Sequence, residues 1–171
     1  MRLEGEVWSR YFRDFTSSAF RLELRQVYTM PGEADEFKRF QEGELPPPGY
    51  HYGWLDTVAN ARQAGKTMRR VRVVTRPLTD YTRYEFAWGF IYNVEAGEDI
   101  RILDLTDQPD FNLPEHDFWL FDESTVVNLM YNPDGTQIGR ELVEHPDFGR
   151  YLAWREATWE LAVPFTDYWS G

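Results

Sequence analysis

The sequence predicts an α/β fold: a single domain in which a mixed sheet combines a central βαβ unit with an antiparallel hairpin, and helices pack on the sheet. Three observations favour this class. Residues 71–76 alternate between apolar and charged side chains, which is typical of a strand. Residues 81–94 carry large apolar side chains at spacings of three and four, which is typical of a helix. Residues 100–104 then alternate again.

The central βαβ unit has clear boundaries. Pro77 ends the first strand because proline has no amide hydrogen to give to a ladder. Thr79 or Asp80 caps a helix predicted at 79–95, and Gly97 ends it. A strand, a helix and a strand in succession predict that 71–76 and 100–104 are parallel neighbours, joined by a right-handed crossing.

Four elements are predicted before this unit, each from its periodicity. The strand among them alternates Phe20 and Leu22 with Arg21 and Glu23, so one of its faces is charged. In order, the elements are a helix at 6–15, a strand at 19–28, a helix at 31–43 and a helix at 54–65.

A proline-rich stretch at 44–53 separates the second helix from the third. Consecutive prolines stiffen it, as in a connector or a surface loop. The roughly 45 residues before it are too few for an independent core. Residues 1–171 are therefore predicted to form one α/β domain with 44–53 as an internal loop. Tyr50, Tyr52 and Trp54, at the base of this loop, are candidates for an aromatic ligand pocket.

The C-terminal part predicts three strands and a helix. Residues 117–121 and 125–131 are apolar and are joined by a short polar connection, which predicts an antiparallel hairpin. A turn with proline and glycine at 132–135 precedes a third strand at 136–142. Residues 146–162 repeat aromatic residues at helical spacing and predict a closing helix.

The composition excludes several classes of function. The chain has no cysteine, which excludes disulfides, thiolate metal sites and cysteine nucleophiles. Its formal net charge of −11 repels polyanions and disfavours direct binding to nucleic acid. No apolar run approaches the ~20 residues that span a bilayer, and the N-terminal residues lack the apolar centre of a signal peptide. A cytoplasmic protein without membrane contact is the expectation.

No strong catalytic motif is present. The sequence has no phosphate-binding glycine loop, no dinucleotide fingerprint and no nucleophile elbow. His51, His116 and His145 lie far apart, and none has a second histidine at the spacing of a metal site. The sequence therefore favours a non-enzymatic domain, with no metal and no cofactor expected.

Charged side chains fall on one face of each of two predicted strands. If these strands are neighbours, five guanidinium groups and one carboxylate converge. Such a face suits a carboxylate, a phosphate or an acidic partner segment, because guanidinium offers a bidentate fork. The alternative is a structural salt-bridge layer. The candidate face comprises Arg21, Glu23, Arg25, Arg70, Arg72 and Arg76, and the acids that would neutralise it are Asp80, Glu85, Glu98, Asp99 and Asp104.

The two interpretations differ in what Arg72 does for stability. An arginine held ready for an absent anion is repelled by its neighbours, so we predict near-neutral stability for Arg72→Leu in the absence of anions. In a salt-bridge layer, the same change should cost about 3–5 kcal/mol because the partner is left buried and unpaired. Asp80, Tyr81 and Glu85, at the start of the long helix, complete the set of candidate binding residues.

Four motifs give the chain a family resemblance: FRDFTSSAFRLE, RRVRVVTRPLTDYTRYEF, AGEDIRILD and HDFWLFD. Through them, residues 12–154 resemble an actinobacterial family that carries only a domain-of-unknown-function name. Its members are often encoded beside helix-turn-helix regulators and small acidic proteins. The resemblance implies an accessory or regulatory role, with such a regulator or another protein as partner. The positions that match the recurring motifs are Arg21, Glu23, Tyr28, Arg72, Asp80, Tyr81, Arg83, Glu85 and Asp117.

The order of elements is also similar to half of a phospholipase D-like domain. Such a half carries a histidine and a lysine in a strand as H-x-K, with an acid downstream. Here His116-Asp117-Phe118 has Phe118 in place of the lysine, with Asp122 or Glu123 downstream. A second motif could come only from a homodimer. This resemblance implies a phosphodiesterase or nuclease that has lost its catalysis, with His116 as the alternative catalytic residue.

Two functions from different classes therefore remain open. The first is a non-enzymatic regulatory or accessory domain that binds a protein partner or a small anionic ligand at the charged face. The second is a degenerate phosphodiesterase or nuclease of phospholipase D-like fold.

Overall fold

A seven-stranded mixed sheet forms the centre of the molecule. The computed structural model describes residues 1–170. The strands are β1 (Ser18–Glu23), β2 (Thr67–Val74), β3 (Asp99–Asp104), β4 (Asp117–Phe121), β5 (Thr125–Tyr131), β6 (Gln137–Leu142) and β7 (Val163–Pro164). Their spatial order is β6-β5-β4-β1-β2-β3-β7. Together with the helices, this sheet makes one α/β domain, as the sequence predicts.

Helices precede β1, separate β1 from β2 and β2 from β3, and flank β7. The predicted proline-rich loop is irregular up to the residue before Gly53, where the third helix begins. The long helix predicted at 79–95 is one rod, but its middle is a π-helical segment. The helices are α1 (Gly5–Asp14), a short 3-10 helix (Pro31–Glu33), α2 (Ala34–Gln41), α3 (Gly53–Gln63), α4 (Asp80–Glu85), the π segment (Phe86–Phe90), α5 (Ile91–Ala96), α6 (Phe148–Leu161) and α7 (Phe165–Tyr168).

The predicted βαβ unit is confirmed. β2 and β3 are parallel neighbours, with Arg70 opposite Ile100, and α4, the π segment and α5 connect them. β1 lies on the other side of β2 and is also parallel to it, with Arg21 opposite Arg70. Because side chains opposite each other share a face of the sheet, these two arginines lie side by side. The hand of the crossing stays a prediction.

The predicted hairpin is confirmed as well. β4 and β5 are antiparallel, and the turn residues Asp122 and Glu123 both have positive φ, as the turns that suit a twisted hairpin require. The Asp122 carboxylate accepts the amide hydrogens of Thr16, Ser17 and Ser18 at 2.8, 2.7 and 3.0 Å. This carboxylate therefore joins the hairpin to the start of β1.

Two parts of the prediction need correction. The first strand ends at Glu23 rather than at residue 28, because the amide of Leu24 donates to the Asp117 side chain and that of Arg25 to the Tyr28 hydroxyl. At the other end of the chain, β7 and α7 follow the closing helix and were not predicted. A strand of two residues that contains Pro164 is too short to show a period.

The two faces of the sheet are covered differently. We call the face that carries Arg21 and Arg70 the charged face. It is covered by α1, α3 and the α4–α5 rod, whose Phe86 and Phe90 pack on Ile100 and the residues near it. The opposite face is apolar, and α6 covers it with an aromatic stripe that includes Trp154.

The edges of the sheet are both occupied. At one edge, the amide of Leu3 donates to the Arg140 carbonyl at 2.8 Å, and the amide of Leu142 donates to the Met1 carbonyl at 2.9 Å. The N-terminal residues therefore run along β6. At the other edge stands β7, which includes Pro164. No helix within residues 1–170 combines the length and the apolar composition that a membrane crossing requires.

Candidate functional site

Arg70 lies at the centre of the charged face and joins two glutamates. Its Nη1 donates to Glu23 at 2.7 Å, and its Nε donates to Glu98 at 2.6 Å. Glu23 is on the neighbouring strand, whereas Glu98 comes from the turn after α5, where Gly97 supplies a φ of 123°. The indole of Trp54 also donates to Glu98 at 2.7 Å. All three charged groups are buried, so this cluster of one guanidinium and two carboxylates is part of the interior of the fold.

Arg72 lies one pleat further along β2 and has no exposed surface. Its Nε donates to Glu85 at 2.7 Å and its Nη2 to the Thr82 hydroxyl at 3.1 Å. Thr82 and Glu85 are three residues apart on the rod, so both face the same strand. The remaining nitrogen donates to the main-chain oxygens of Arg25 and Val73. Arg72 is thus fully used inside the protein.

The carboxyl groups of Glu23 and Glu85 meet between these two arginines and share a hydrogen bond. Burial and the charge of Glu23 raise the pKa of Glu85 to about 8, and they outweigh the opposing effect of Arg72. Burial alone would raise the pKa of Glu23, but the positive charges of Arg70, Arg21 and Arg72 lower it to about 2. At neutral pH the two carboxyl groups therefore share one proton.

Arg21 has a separate partner in Asp117. Its Nη2 lies 2.9 Å from the carboxylate, which also accepts from the Leu24 amide at 3.0 Å and the Tyr28 hydroxyl at 2.5 Å. Burial raises the pKa of Asp117, and Arg21 opposes that shift. The Nε of Arg21 is buried and has no hydrogen-bond partner within residues 1–170. Arg21 therefore keeps one unused donor.

The expected convergence of five guanidinium groups is wrong for Arg25 and Arg76. Both residues follow the ends of their strands, so the pleat does not fix their direction. Arg25 turns away and donates to the Pro133 carbonyl at 3.0 Å. Arg76 is exposed and pairs with Asp104 at 2.8 Å. Arg21, Arg70 and Arg72 remain as the group that the sheet brings together.

The candidate residues at the start of the long helix differ in whether they reach the site. Asp80 is exposed and pairs with Arg83 at 3.3 Å, so it does not neutralise the strand arginines. Tyr81 is buried, and its hydroxyl donates to Glu33 at 2.8 Å. Asp99 is exposed at the beginning of β3. Of the acids expected to balance the strand arginines, Glu85 contacts Arg72 and Glu98 contacts Arg70, whereas Asp104 pairs with the exposed Arg76.

A cleft of about 760 Å³ opens between α1, α3 and the sheet beside this network, and we call it the basic cleft. The aromatic rings of Trp8, Phe12, Trp54 and Trp119 form much of its wall. Asp56 is the one carboxylate in its lining. Its cationic residues are Arg13, Arg21, Lys66, Arg70 and Arg140.

Arg140 is a cleft residue that the sequence analysis did not identify. Its guanidinium lies 5.3 Å from the ring centre of Trp8, and it forms no ion pair with a carboxylate within residues 1–170. Burial lowers the pKa of Arg140, and the charge of Arg21 lowers it further. Arg140 lies in β6, whose alternation of apolar and polar residues is weak. Only the observed pairing of Arg140 with Leu129 shows on which face of the sheet this arginine lies.

A second cavity, of about 540 Å³, lies under the proline-rich loop, and we call it the tyrosine cavity. Tyr50, Tyr52 and Trp54 all line it, where the sequence analysis placed an aromatic pocket. Tyr81 and Trp88 from the long rod face the same space. Arg21, Arg70 and Trp54 also line the basic cleft, so the two cavities share a wall.

Comparison with known proteins identifies the family. Residues 6–170 match the family described as Domain of unknown function (DUF6879). The chain belongs to this family. No curated protein matches the chain. Among solved structures, a phospholipase D family member, Nuc from Salmonella typhimurium, is similar at a TM-score of 0.49 and 12% identity, covering 94% of this chain and 91% of that chain. A likeness at this level says nothing about activity.

None of the three histidines lines the basic cleft or the tyrosine cavity. His116 lines a smaller cavity of about 370 Å³ beside Asp117, whose carboxylate is held by Arg21. His51 pairs with Asp56 at 3.0 Å on the surface. Within residues 1–170, no group of three histidine, aspartate or glutamate side chains could hold a metal ion.

Proposed function

We propose that this domain is a non-enzymatic accessory domain that binds a small organic anion in the basic cleft. The anionic group would contact Arg140 and lie in the part of the cleft that Arg21 lines. An aromatic or apolar part would lie against the indole rings of the wall. Guanidinium groups suit this role because they bind carboxylate and phosphate with a bidentate fork.

The observation that carries this proposal is the unpaired Arg140 in the cleft that Arg21 also lines. Arg70 and Arg72 are balanced by glutamates, and Arg21 is balanced by Asp117. Arg140 has an aromatic ring as its neighbour instead of a carboxylate, and the charge of Arg21 lowers its pKa. An anion in the cleft would offset the charges of both arginines. Lys66, which forms no ion pair within residues 1–170, adds to the attraction, whereas Arg13 and Arg70 are already paired with glutamates.

Hydrocinnamate tests this proposal because it combines one carboxylate with one phenyl ring. Isothermal titration calorimetry of the wild-type protein should show binding that weakens as salt increases, since the contact is charged. Arg140→Gln should weaken this binding at least tenfold. Phenethyl alcohol, which replaces the carboxylate with a neutral hydroxyl, should bind more weakly than hydrocinnamate.

Arg101→Gln is the matched control. Arg101 lies 4.1 Å from the ring centre of Trp159, and it also has a buried Nε without a partner within residues 1–170. It belongs to the opposite face of the sheet. The control should keep the wild-type affinity. Equal affinities for Arg140→Gln and wild type, or no detectable heat with hydrocinnamate, would refute the proposal.

A regulatory role with a protein partner is the second part of the proposal. The family resemblance supports a helix-turn-helix regulator as this partner, and ligand binding in the cleft would then be the signal that the domain transmits. Co-purification of the two proteins, with and without hydrocinnamate, tests this part. The phosphodiesterase alternative gains no support from His116, because the neighbouring Asp117 is committed to Arg21.

A further inference from the structure

The tyrosine cavity has the opposite charge to the basic cleft, although the two share a wall. Of the charged residues in its lining, four are glutamates and two are arginines. Both arginines are already paired: Arg21 with Asp117, and Arg70 with Glu23 and Glu98. The free space of the cavity is therefore negative and would repel the anion that suits the cleft.

Two of these glutamates face the cavity without a cation of their own. Glu36 accepts from the hydroxyls of Tyr50 and Tyr84 at 2.8 and 3.1 Å, and Glu33 accepts from Tyr81 at 2.8 Å. Neither glutamate forms an ion pair within residues 1–170. Burial raises the pKa of Glu33, although the Tyr81 hydroxyl opposes the shift. The tyrosines thus fix the carboxylates in position and leave their charge unbalanced.

The aromatic walls of this cavity are suited to a positive charge. Tyr50 meets Trp88 edge to face, with ring centres 5.5 Å apart, and Tyr84 lies 6.1 Å from the same ring. The guanidinium of Arg39 already lies 5.5 Å from the ring centre of Trp88. Aromatic faces attract cations through their quadrupole, and the attraction grows where water is excluded.

We propose that the tyrosine cavity binds an organic ammonium ion. Its N–H groups donate to Glu33 and Glu36, and its carbon atoms contact the rings of Tyr50 and Trp88. The cavity volume of about 540 Å³ falls in the range of small-molecule sites. Carboxylates with aromatic faces are the complement of such an ion, whereas a neutral alcohol of the same shape would leave both carboxylates unbalanced. This proposal does not depend on the basic cleft.

Phenethylamine, which is protonated at neutral pH, is the probe. Phenethyl alcohol has the same skeleton without the charge. In calorimetric titrations of the wild-type protein, the amine should bind at least tenfold more tightly than the alcohol. Equal affinity for the two compounds, or no detectable binding of the amine, overturns the proposal, and this comparison needs no variant.

Two substitutions then locate the site. Glu36→Gln and Glu33→Gln should each weaken amine binding at least tenfold, because each removes one charge and keeps the size of the side chain. Glu95→Gln, at an exposed glutamate of α5, is the control and should bind as the wild type does. Near-UV circular dichroism verifies that each variant is folded. Should Glu36→Gln perturb the fold, Glu33→Gln decides the case, and unchanged affinity in a folded Glu33→Gln contradicts the assignment.

Discussion

The Nε of Arg72 lies 2.7 Å from a carboxylate oxygen of Glu85, in a place where the arginine has no exposed surface. Each of its three nitrogens has a partner in the protein. This geometry favours the salt-bridge interpretation for Arg72. It also argues against the expectation from the sequence that Arg72→Leu would leave the stability of the protein nearly unchanged, because Arg72 has no donor left over for a ligand.

Arg72→Leu should destabilise the protein by about 3–5 kcal/mol, because it leaves buried acceptors without their partner. Urea denaturation at neutral pH measures the change. Arg83→Leu removes an arginine from an exposed pair with Asp80 on α4 and should cost less than about 1 kcal/mol. Similar small losses for both variants would show that Arg72 is not structural.

The proton that Glu85 shares with Glu23 should make stability fall with rising pH, the opposite of what an ordinary paired carboxylate does. The pKa of Glu85 is raised from an ordinary value of 4.5 to about 8. Between these values the folded chain holds a proton that the unfolded chain has released. The free energy of unfolding should therefore fall as pH rises through this window, by up to about 1.4 kcal/mol per pH unit.

Glu85→Gln keeps the hydrogen-bonding shape of the protonated glutamate but cannot lose a proton. Because the wild type loses stability as pH rises and Glu85→Gln does not, the stability of the variant relative to the wild type should increase steadily between pH 5 and pH 8. Denaturation curves of the two proteins at several pH values provide the comparison. Glu95→Gln, at an exposed position of α5, should run parallel to the wild type. A constant difference between Glu85→Gln and the wild type would contradict the shared proton.

Asp122 should contribute to stability through the three amides that it accepts. Burial alone would raise the pKa of Asp122, but these hydrogen bonds lower it to about 2. Asp122→Asn should cost about 1 kcal/mol at neutral pH, because the carboxylate is still partly exposed. Ionised Asp122 stabilises the fold fully above its ordinary pKa of 3.8, and this stabilisation is lost as the carboxyl is protonated in acid. The loss of stability caused by Asp122→Asn should therefore shrink as pH falls from 3.8 to about 2. Thermal melts across that range test it, with Glu123→Gln in the same turn as control.

The protein should not hydrolyse activated phosphodiesters or DNA above background, with or without divalent metal. Phe118 stands where the phospholipase D-like motif has its lysine, and it is fully buried on the apolar face. Asp122, one of the downstream acids, is held by main-chain amides. Turnover by the purified protein that disappears in His116→Ala would establish the enzymatic alternative.

Much of this fold follows from local patterns in the sequence. The alternation in β2 and β3 and the helical spacing between them fix a parallel pair, and the apolar runs of β4 and β5 fix the hairpin. β7 gives no such signal, because two residues cannot show a period and its pairing with β3 depends on where α6 ends. The early end of β1 depends on Asp117, a residue distant in sequence that captures the amide of Leu24.

The candidate site was predictable only in part. The strand arginines follow from the period of two, because β1 and β2 are neighbours. Their neutralisation by Glu98 and Glu85 depends on how the rod crosses the sheet, and a local pattern does not contain that information. Arg140 is the clearest example of what the sequence hides. Arg140 matters because it has no carboxylate partner, and this can be seen only once the positions of all the surrounding residues are known.

The occupied edges of the sheet restrict how copies of this chain can assemble. An open strand edge is a template on which another chain can add a strand, which leads to strand-extended dimers or to fibrils. Here Met1 and Leu3 use the hydrogen bonds along β6, and Pro164 leaves β7 without an amide donor at that position. Growth by strand addition is therefore obstructed on both sides. We therefore expect self-association of this protein to use its helices and loops, where contacts between side chains rather than main-chain ladders select the partner.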